Sequence, residues 1–120
     1  MAKIFILEDD PQRIKIFKIK LIQHELFFTD NVKEAKDMFD LLGPFDYIFL
    51  DHDLGGQIYV DSDNHNTGYQ FAKYISKKDL SLVQKIVVHS LNENGARKMV
   101  ALLPNSIYIP FTQLKDSLNG

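Results

Sequence analysis

The sequence predicts an α/β fold in which helices cover both faces of a parallel sheet. Short apolar runs alternate along the chain with segments whose apolar residues recur at helical spacing, and this alternation is typical of βαβ units. We find no internal repeat and no linker. The length of 120 residues suits one domain, predicted over residues 1–120, because two independent cores would need a longer chain.

Composition and charge exclude several classes of function. A hydrophobic fraction of 45% and a charged fraction of 25% are those of a soluble globular protein. The net charge of −2 gives no general attraction to nucleic acid, so no nucleic-acid partner is expected. One helix face is lysine-rich, and we interpret it as solvated surface; its residues are Arg13, Lys15, Lys18 and Lys20.

The chain contains no cysteine. This excludes disulfides and thiolate metal sites and fits a reducing compartment. No apolar stretch approaches the ~18 to 20 residues of a membrane span, and the N-terminus lacks a signal-peptide pattern. We therefore expect a cytoplasmic protein with no membrane partner.

The first strand is predicted over residues 3–7. Asp10 then stands at an N-cap position with Pro11 in the first turn, and the apolar residues that follow predict a helix over residues 11–23. A short second strand is predicted over residues 25–28. The apolar stripe of this first helix consists of Ile14, Phe17, Leu21 and Ile22.

Asn31 and Glu34 have the spacing of a capping box, and a second helix is predicted over residues 32–42. It ends at Gly43-Pro44, which cannot continue a helix. After a third strand, residues 47–50, the polar loop over residues 52–66 is long for a βα connection, which favours a functional role.

The remaining elements keep the same alternation. The third helix is predicted to begin near Thr67-Gly68 and to bury Phe71, Ala72 and Ile75. The elements after it are a strand over residues 85–88, a helix over 93–103, a strand over 106–109 and a helix over 111–118.

Polar side chains with metal-binding chemistry follow three of the predicted strands. In an open parallel sheet, ligands bind at the carboxyl ends of the strands, so we expect these side chains to form one site. They are Glu8, Asp9 and Asp10 after the first strand, Asp51, His52 and Asp53 after the third, and His89 and Ser90 after the fourth.

These residues resemble the receiver domain of bacterial response regulators, the CheY-like fold. The resemblance implies a flavodoxin-like three-layer sandwich with a five-stranded parallel sheet in the order 2-1-3-4-5. It also implies that the acids around Asp9 bind a metal, that Asp51 is the phosphoacceptor and that Asp53 offers its carbonyl to the metal. Ser90 falls on the family's conserved hydroxyl position.

The chain departs from the receiver pattern at the same site. Tyr108-Ile109-Pro110-Phe111 resembles the family's lysine-proline-phenylalanine motif, but Ile109 replaces the lysine that contacts the phosphoryl group. Arg13 or Arg97 is a candidate replacement for that charge. The D-H-D-L-G-G, T-G and H-S-x-N pieces also resemble a divergent receiver group suggested to process cyclic phosphates.

Two kinds of metal centre are compatible with these residues. An oxygen site for Mg²⁺ would use Asp9 and Asp51, with Glu8 or Asp10 and the carbonyl of Asp53. Imidazoles with carboxylates would instead suit Zn²⁺, Mn²⁺ or Fe²⁺ and a metal-bound hydroxide. That second set consists of His52, His65 and His89 with Asp9, Asp51 and Asp53.

Three functions therefore stay open. The first is a stand-alone atypical receiver that binds a divalent metal, Mg²⁺ before Mn²⁺ or Zn²⁺, accepts a phosphoryl group at Asp51 from a phosphodonor and signals to another protein. The second is a metal-dependent phosphoesterase acting on a small or cyclic phosphate, with His89 and Ser90 at the reacting centre. The third is a non-catalytic pseudo-receiver. The sequence does not indicate an oligomeric state.

Overall fold

The structure is a computed structural model that describes residues 1–54 and 61–118. Strands and helices alternate along these residues. The strands are β1 (Lys3–Leu7), β2 (Glu25–Thr29), β3 (Tyr47–Leu50), β4 (Lys85–Val88) and β5 (Ser106–Tyr108). The helices are α1 (Pro11–Lys20), α2 (Val32–Leu42), α3 (Gly68–Ile75), α4 (Glu93–Leu102) and α5 (Phe111–Ser117).

The strands form one parallel sheet in the order β2-β1-β3-β4-β5. This confirms the predicted fold class and strand order. β1 and β3 lie inside the sheet, and their residues are almost entirely buried. A strand that is buried on both faces has a continuous apolar sequence, and Ile4-Phe5-Ile6-Leu7 of β1 is such a sequence.

Each face of the sheet has its own apolar core because successive side chains of a strand point to opposite faces. On one face, Phe5, Leu50 and Val88 pack with residues of α2, α3 and α4. On the other face, Ile6 and Phe49 pack with residues of α1 and α5. The sheet is therefore the middle layer of three.

The predicted boundaries of β1, α2, β3 and β4 match the observed ones, and those of β2, α1, α4, β5 and α5 differ by one to three residues. The largest difference is in α1, predicted over residues 11–23, which ends at Lys20. Leu21 has φ −114° and ψ 26°, and its carbonyl accepts a hydrogen bond from the His24 N–H at 2.9 Å, which turns the chain towards β2. Gly55 and Gly56 of the D-H-D-L-G-G turn lie outside the described residues.

Among the described residues, every helix is too short or too polar to cross a lipid bilayer.

Candidate metal centre

Strand register brings the first residue after each of three strands into one row. Leu7 pairs with Leu50, and Leu50 pairs with Val88. The row continues one residue further. The Asp51 N–H donates to the Leu7 carbonyl at 3.0 Å, and the His89 N–H donates to the Leu50 carbonyl at 2.9 Å. Glu8, Asp51 and His89 therefore lie side by side at the carboxyl edge.

The alternation of side chains places all three on the same face. Glu8 follows Ile6 by two residues, and Asp51 follows Phe49 by two, so both continue the row that packs against α1 and α5. His89 packs edge-on against Phe17 of α1, with ring centroids 5.4 Å apart. The three side chains are buried, with exposures of 1% for Glu8, 3% for Asp51 and 0% for His89.

The three side chains form a compact group of possible metal ligands. One donor atom from each of Glu8, Asp51 and His89 lies within 4.8 Å of the other two. Ligand atoms that share an ion at ~2.1 Å lie roughly 3 to 4 Å apart, so a small inward movement would suffice. Among the residues that the structure describes, this is the group with that geometry.

Backbone N–H groups fix one oxygen of each carboxylate. Glu8 Oε2 accepts the backbone N–H groups of Asp9 at 3.0 Å and Asp10 at 3.1 Å. Asp51 Oδ1 accepts the His52 N–H at 2.8 Å, and the nearby Ser90 hydroxyl acts to lower the pKa of the Asp51 carboxyl. The second oxygens, Glu8 Oε1 and Asp51 Oδ2, are the ones that meet a cation.

That cation is the guanidinium of Arg13. Its Nη1 lies 3.7 Å from Glu8 Oε1 and 3.7 Å from Asp51 Oδ2. The arginine extends from the first turn of α1, and its guanidinium carbon lies 5.4 Å from the centre of the Phe111 ring. Arg97, the other candidate, is an exposed residue of α4 paired with Glu93 at 2.8 Å. The structure therefore places Arg13, not Arg97, at the centre.

Burial changes the protonation of all three buried groups. It raises the pKa of Glu8 to about 7, and burial together with the negative charge of Glu8 raises the pKa of Asp51 to about 7. Burial lowers the pKa of His89 to about 4, so its ring is neutral at physiological pH. Both carboxyl groups therefore titrate near neutral pH, which suits a site that binds a cation.

The hydrogen bonds of His89 indicate its tautomer. Nε2 lies 2.8 Å from Glu8 Oε1, whereas Nδ1 has no hydrogen-bond partner and is buried. A buried N–H without an acceptor is costly, so we assign the proton to Nε2, which donates to Glu8. His89 thus orients the same Glu8 oxygen that faces Arg13.

His52 belongs to a separate network on the opposite face of the sheet. Its Nδ1 lies 2.8 Å from Asp53 Oδ1, and its Nε2 lies 2.9 Å from Ser62 Oγ. The Asn92 amide also donates to Asp53 Oδ1 at 3.1 Å. The ring lies so close to α4 that a Cβ on Gly95 would be 2.4 Å from its Cδ2. Both ring nitrogens are engaged, so the imidazole anchors the β3–α3 connection.

The other predicted site residues lie outside the Glu8–Asp51–His89 group. Asp9 is half-buried and lies outside the Glu8–Asp51–His89 group, so its metal role stays a prediction. Asp10 caps α1, as predicted, by accepting the Gln12 N–H at 2.8 Å. His65 is exposed on the loop before α3. Ile109 is half-buried and packs with the core under α1 and α5.

Comparison with known proteins identifies the family. A family model for the cyclic-phosphate processing receiver domain matches residues 4–105. The chain belongs to this family. Among curated proteins no match was found.

Solved structures of response regulators share the fold of this receiver domain. The Mn²⁺-bound form of the response regulator Rcp1 is 19% identical, with a TM-score of 0.73 over 100% of this chain and 91% of that chain. TrrA from Thermotoga maritima, in complex with Mg²⁺ and BeF, is 21% identical, with a TM-score of 0.69 over 98% of this chain and 96% of that chain. A CheY-like receiver domain from Methylobacillus flagellatus is 17% identical, with a TM-score of 0.67 over 98% and 96% of the two chains.

Two features of this cyclic-phosphate processing receiver domain were not predicted from the sequence. Ser62 reaches the His52 ring from ten residues away in the chain, and no motif signals that contact. Asn92 was part of the H-S-x-N pattern, but its contact with Asp53 joins residues 39 positions apart.

Proposed function

We propose that this domain binds a hard divalent cation, Mg²⁺ or Mn²⁺, between Glu8 and Asp51 and hydrolyses a cyclic phosphate ester. The observation that carries the proposal is the buried carboxyl pair, whose two inner oxygens converge on one cationic group. Membership of the cyclic-phosphate processing receiver family supports the substrate class.

The donor set favours a cation that prefers oxygen. Glu8 and Asp51 each offer one carboxylate oxygen, and Asp9 at the rim is a third candidate ligand. His89 Nε2 lies 2.8 Å from Glu8 Oε1, and with its proton directed at that oxygen it has no lone pair to offer an ion. His89 is therefore proposed to orient Glu8 rather than to bind the ion, which makes Zn²⁺ the less suitable metal.

Hydrolysis of a cyclic phosphodiester adds water across one P–O bond. The water oxygen bonds to phosphorus, the ring P–O bond breaks, and the departing oxygen gains a proton. When bound, the ion would polarise a phosphate oxygen and lower the pKa of a coordinated water. The role of the protein is to hold Glu8 and Asp51 in fixed orientations, through the backbone N–H groups of Asp9 and His52.

Phosphoryl acceptance at Asp51 has weaker support. Asp51 is 3% exposed, and burial raises its pKa to about 7, so without a metal much of its carboxyl group is protonated and a poor nucleophile at neutral pH. The half-buried Ile109 supplies no charge for the transferred group. One feature does favour it: the buried Ser90 hydroxyl lies near enough to Asp51 to lower its pKa, and it is a candidate to bind a phosphoryl oxygen.

A substrate panel separates the two functions. The protein is incubated with 2′,3′- and 3′,5′-cyclic nucleotides and small cyclic phosphates in Mg²⁺, Mn²⁺ or Zn²⁺, and products are followed by phosphorus NMR. We expect a phosphomonoester with Mg²⁺ or Mn²⁺, and none from Glu8→Gln or Asp51→Asn. Asp37→Asn, which alters an exposed acid of α2, is the matched control and should retain activity.

Two results would decide against hydrolysis. The first is an inactive panel from protein that binds Mn²⁺ in calorimetry. The second is a Mg²⁺-dependent beryllofluoride or acetyl-phosphate adduct on Asp51 from that same inactive protein, which would establish the phosphoacceptor function. Absence of both metal binding and adduct would leave the non-catalytic receiver.

A further inference from the structure

Arg13 faces the two carboxylate oxygens of Glu8 and Asp51 between which the proposed metal ion would bind. Its Nη1 is equidistant, at 3.7 Å, from the two inner carboxylate oxygens. Those distances exceed the 2.7–3.2 Å range of hydrogen bonds, so the guanidinium is held by charge without a close bidentate grip. Its side chain is 20% exposed, so it lies at the mouth of the buried pair.

The surroundings of Arg13 provide a second resting place. Its Nε lies 3.9 Å from Asp10 Oδ2, and its guanidinium stands over the Phe111 ring, an arrangement that stabilises a cation. Neither contact involves the buried carboxylates. An arginine that leaves Glu8 and Asp51 would therefore stay at the rim, with its N–H donors available to an incoming anion.

The charges make this movement necessary. A divalent ion and a guanidinium cannot share the same two oxygens, because like charges at this distance repel. Among the described residues, Arg13 is also the only lysine or arginine that forms an ion pair with Glu8 or Asp51.

We propose that Arg13 is the phosphate-binding residue of this site and that it competes with the metal for Glu8 and Asp51. In the metal-free protein it neutralises the carboxyl pair. Once the ion is bound, the guanidinium turns to the substrate phosphate, whose oxygens match its planar donors. This inference rests on the proposed function for its metal and its substrate class.

Two titrations with opposite expected signs test the role. Mn²⁺ is titrated into metal-free wild type, Arg13→Ala and Arg13→Gln, and inorganic phosphate into the same proteins saturated with Mn²⁺, both by calorimetry. Loss of the partly exposed ion pairs should tighten Mn²⁺ binding about threefold. Loss of the charge-assisted hydrogen bonds should weaken phosphate binding about tenfold or more.

Arg97→Ala is the matched control, since Arg97 is 69% exposed and pairs with Glu93 of its own helix. It should leave both affinities unchanged. Arg13→Gln keeps most of the side-chain stem, and circular dichroism shows whether each variant is folded. Weaker Mn²⁺ binding, or unchanged phosphate binding, in a folded Arg13 variant would overturn the inference.

These titrations involve no turnover, so they separate the inference from the proposed function. Opposite shifts together with an inactive substrate panel would reject hydrolysis and retain the role of Arg13. A wild-type protein that binds neither Mn²⁺ nor phosphate would reject both.

Discussion

Replacing Asp51 with asparagine tests the claim that the buried carboxyl pair costs stability when it is charged. Asn keeps the size of the side chain and removes its charge. Burial raises the pKa of Asp51 from 3.8 to about 7, so the folded protein holds a proton that the unfolded chain has lost. Between those two pKa values the wild-type protein must therefore lose stability as the pH rises.

The size of this loss follows from the two pKa values. A difference of roughly three pKa units corresponds to about 4 kcal/mol once the pH exceeds the folded-state pKa. Of this, roughly 2 to 3 kcal/mol falls between pH 5 and pH 8. Asp51→Asn lacks this pH dependence, so its stability relative to wild type should improve by that amount over the same interval.

Urea unfolding in the presence of a chelator, followed by circular dichroism at pH 5, 6, 7 and 8, measures the effect. Asp37→Asn, at an exposed position of α2, reports the general effect of removing one acidic charge. If the difference between Asp51→Asn and wild type stayed constant within about 0.5 kcal/mol from pH 5 to pH 8, the assignment of a raised pKa to Asp51 would be wrong.

Three other predictions follow from the same geometry. Burial raises the pKa of both Glu8 and Asp51 to about 7, so protons should be released when Mn²⁺ binds. The Mn²⁺ affinity measured by calorimetry should therefore rise roughly tenfold to a hundredfold from pH 6 to pH 8 and then level off. An affinity that does not change with pH contradicts this. Gly68→Ala would put a Cβ 1.8 Å from the Asp51 carbonyl oxygen. Thermal unfolding should therefore show a loss of about 2 kcal/mol or more in stability, and Mn²⁺ binding should weaken. A variant that keeps both its stability and its Mn²⁺ affinity would refute the contact. His89→Gln keeps an N–H donor for Glu8 and should retain Mn²⁺ binding that His89→Ala loses, whereas equal loss in both would identify His89 as a metal ligand.

The fold could be predicted because its signals are local. Apolar runs and helical stripes depend on neighbours within one element, and Asp10 capped its helix as its position before Pro11 indicated. The edge that carries the site was also predictable, since polar residues follow Leu7, Leu50 and Val88 in the sequence. Boundaries such as the end of α1 depended on a turn at Leu21 that the periodicity did not reveal.

The grouping of the site residues depended on register and side-chain direction. The sequence suggested Asp9 as the partner of Asp51, but parallel register aligns the residue after Leu7, Glu8, with the residue after Leu50. Arg13 and Arg97 looked equivalent as replacements for the missing lysine. Only the packing of α1 against the sheet brings one of them to the carboxylates.

The two polar networks share one residue, His52, and this explains how the buried Asp51 carboxylate is held in one orientation. The His52 N–H donates to Asp51 Oδ1, the His52 carbonyl accepts the Gly68 N–H at 2.8 Å, and the His52 ring is anchored to Ser62 on the opposite face. Because adjacent residues of an extended chain point to opposite faces, the residue that fixes Asp51 cannot itself join the metal centre. His52, a candidate metal ligand on sequence grounds, is thus better understood as the anchor that orients the Asp51 carboxylate. We expect His52→Ala to weaken Mn²⁺ binding indirectly, through lost order at Asp51.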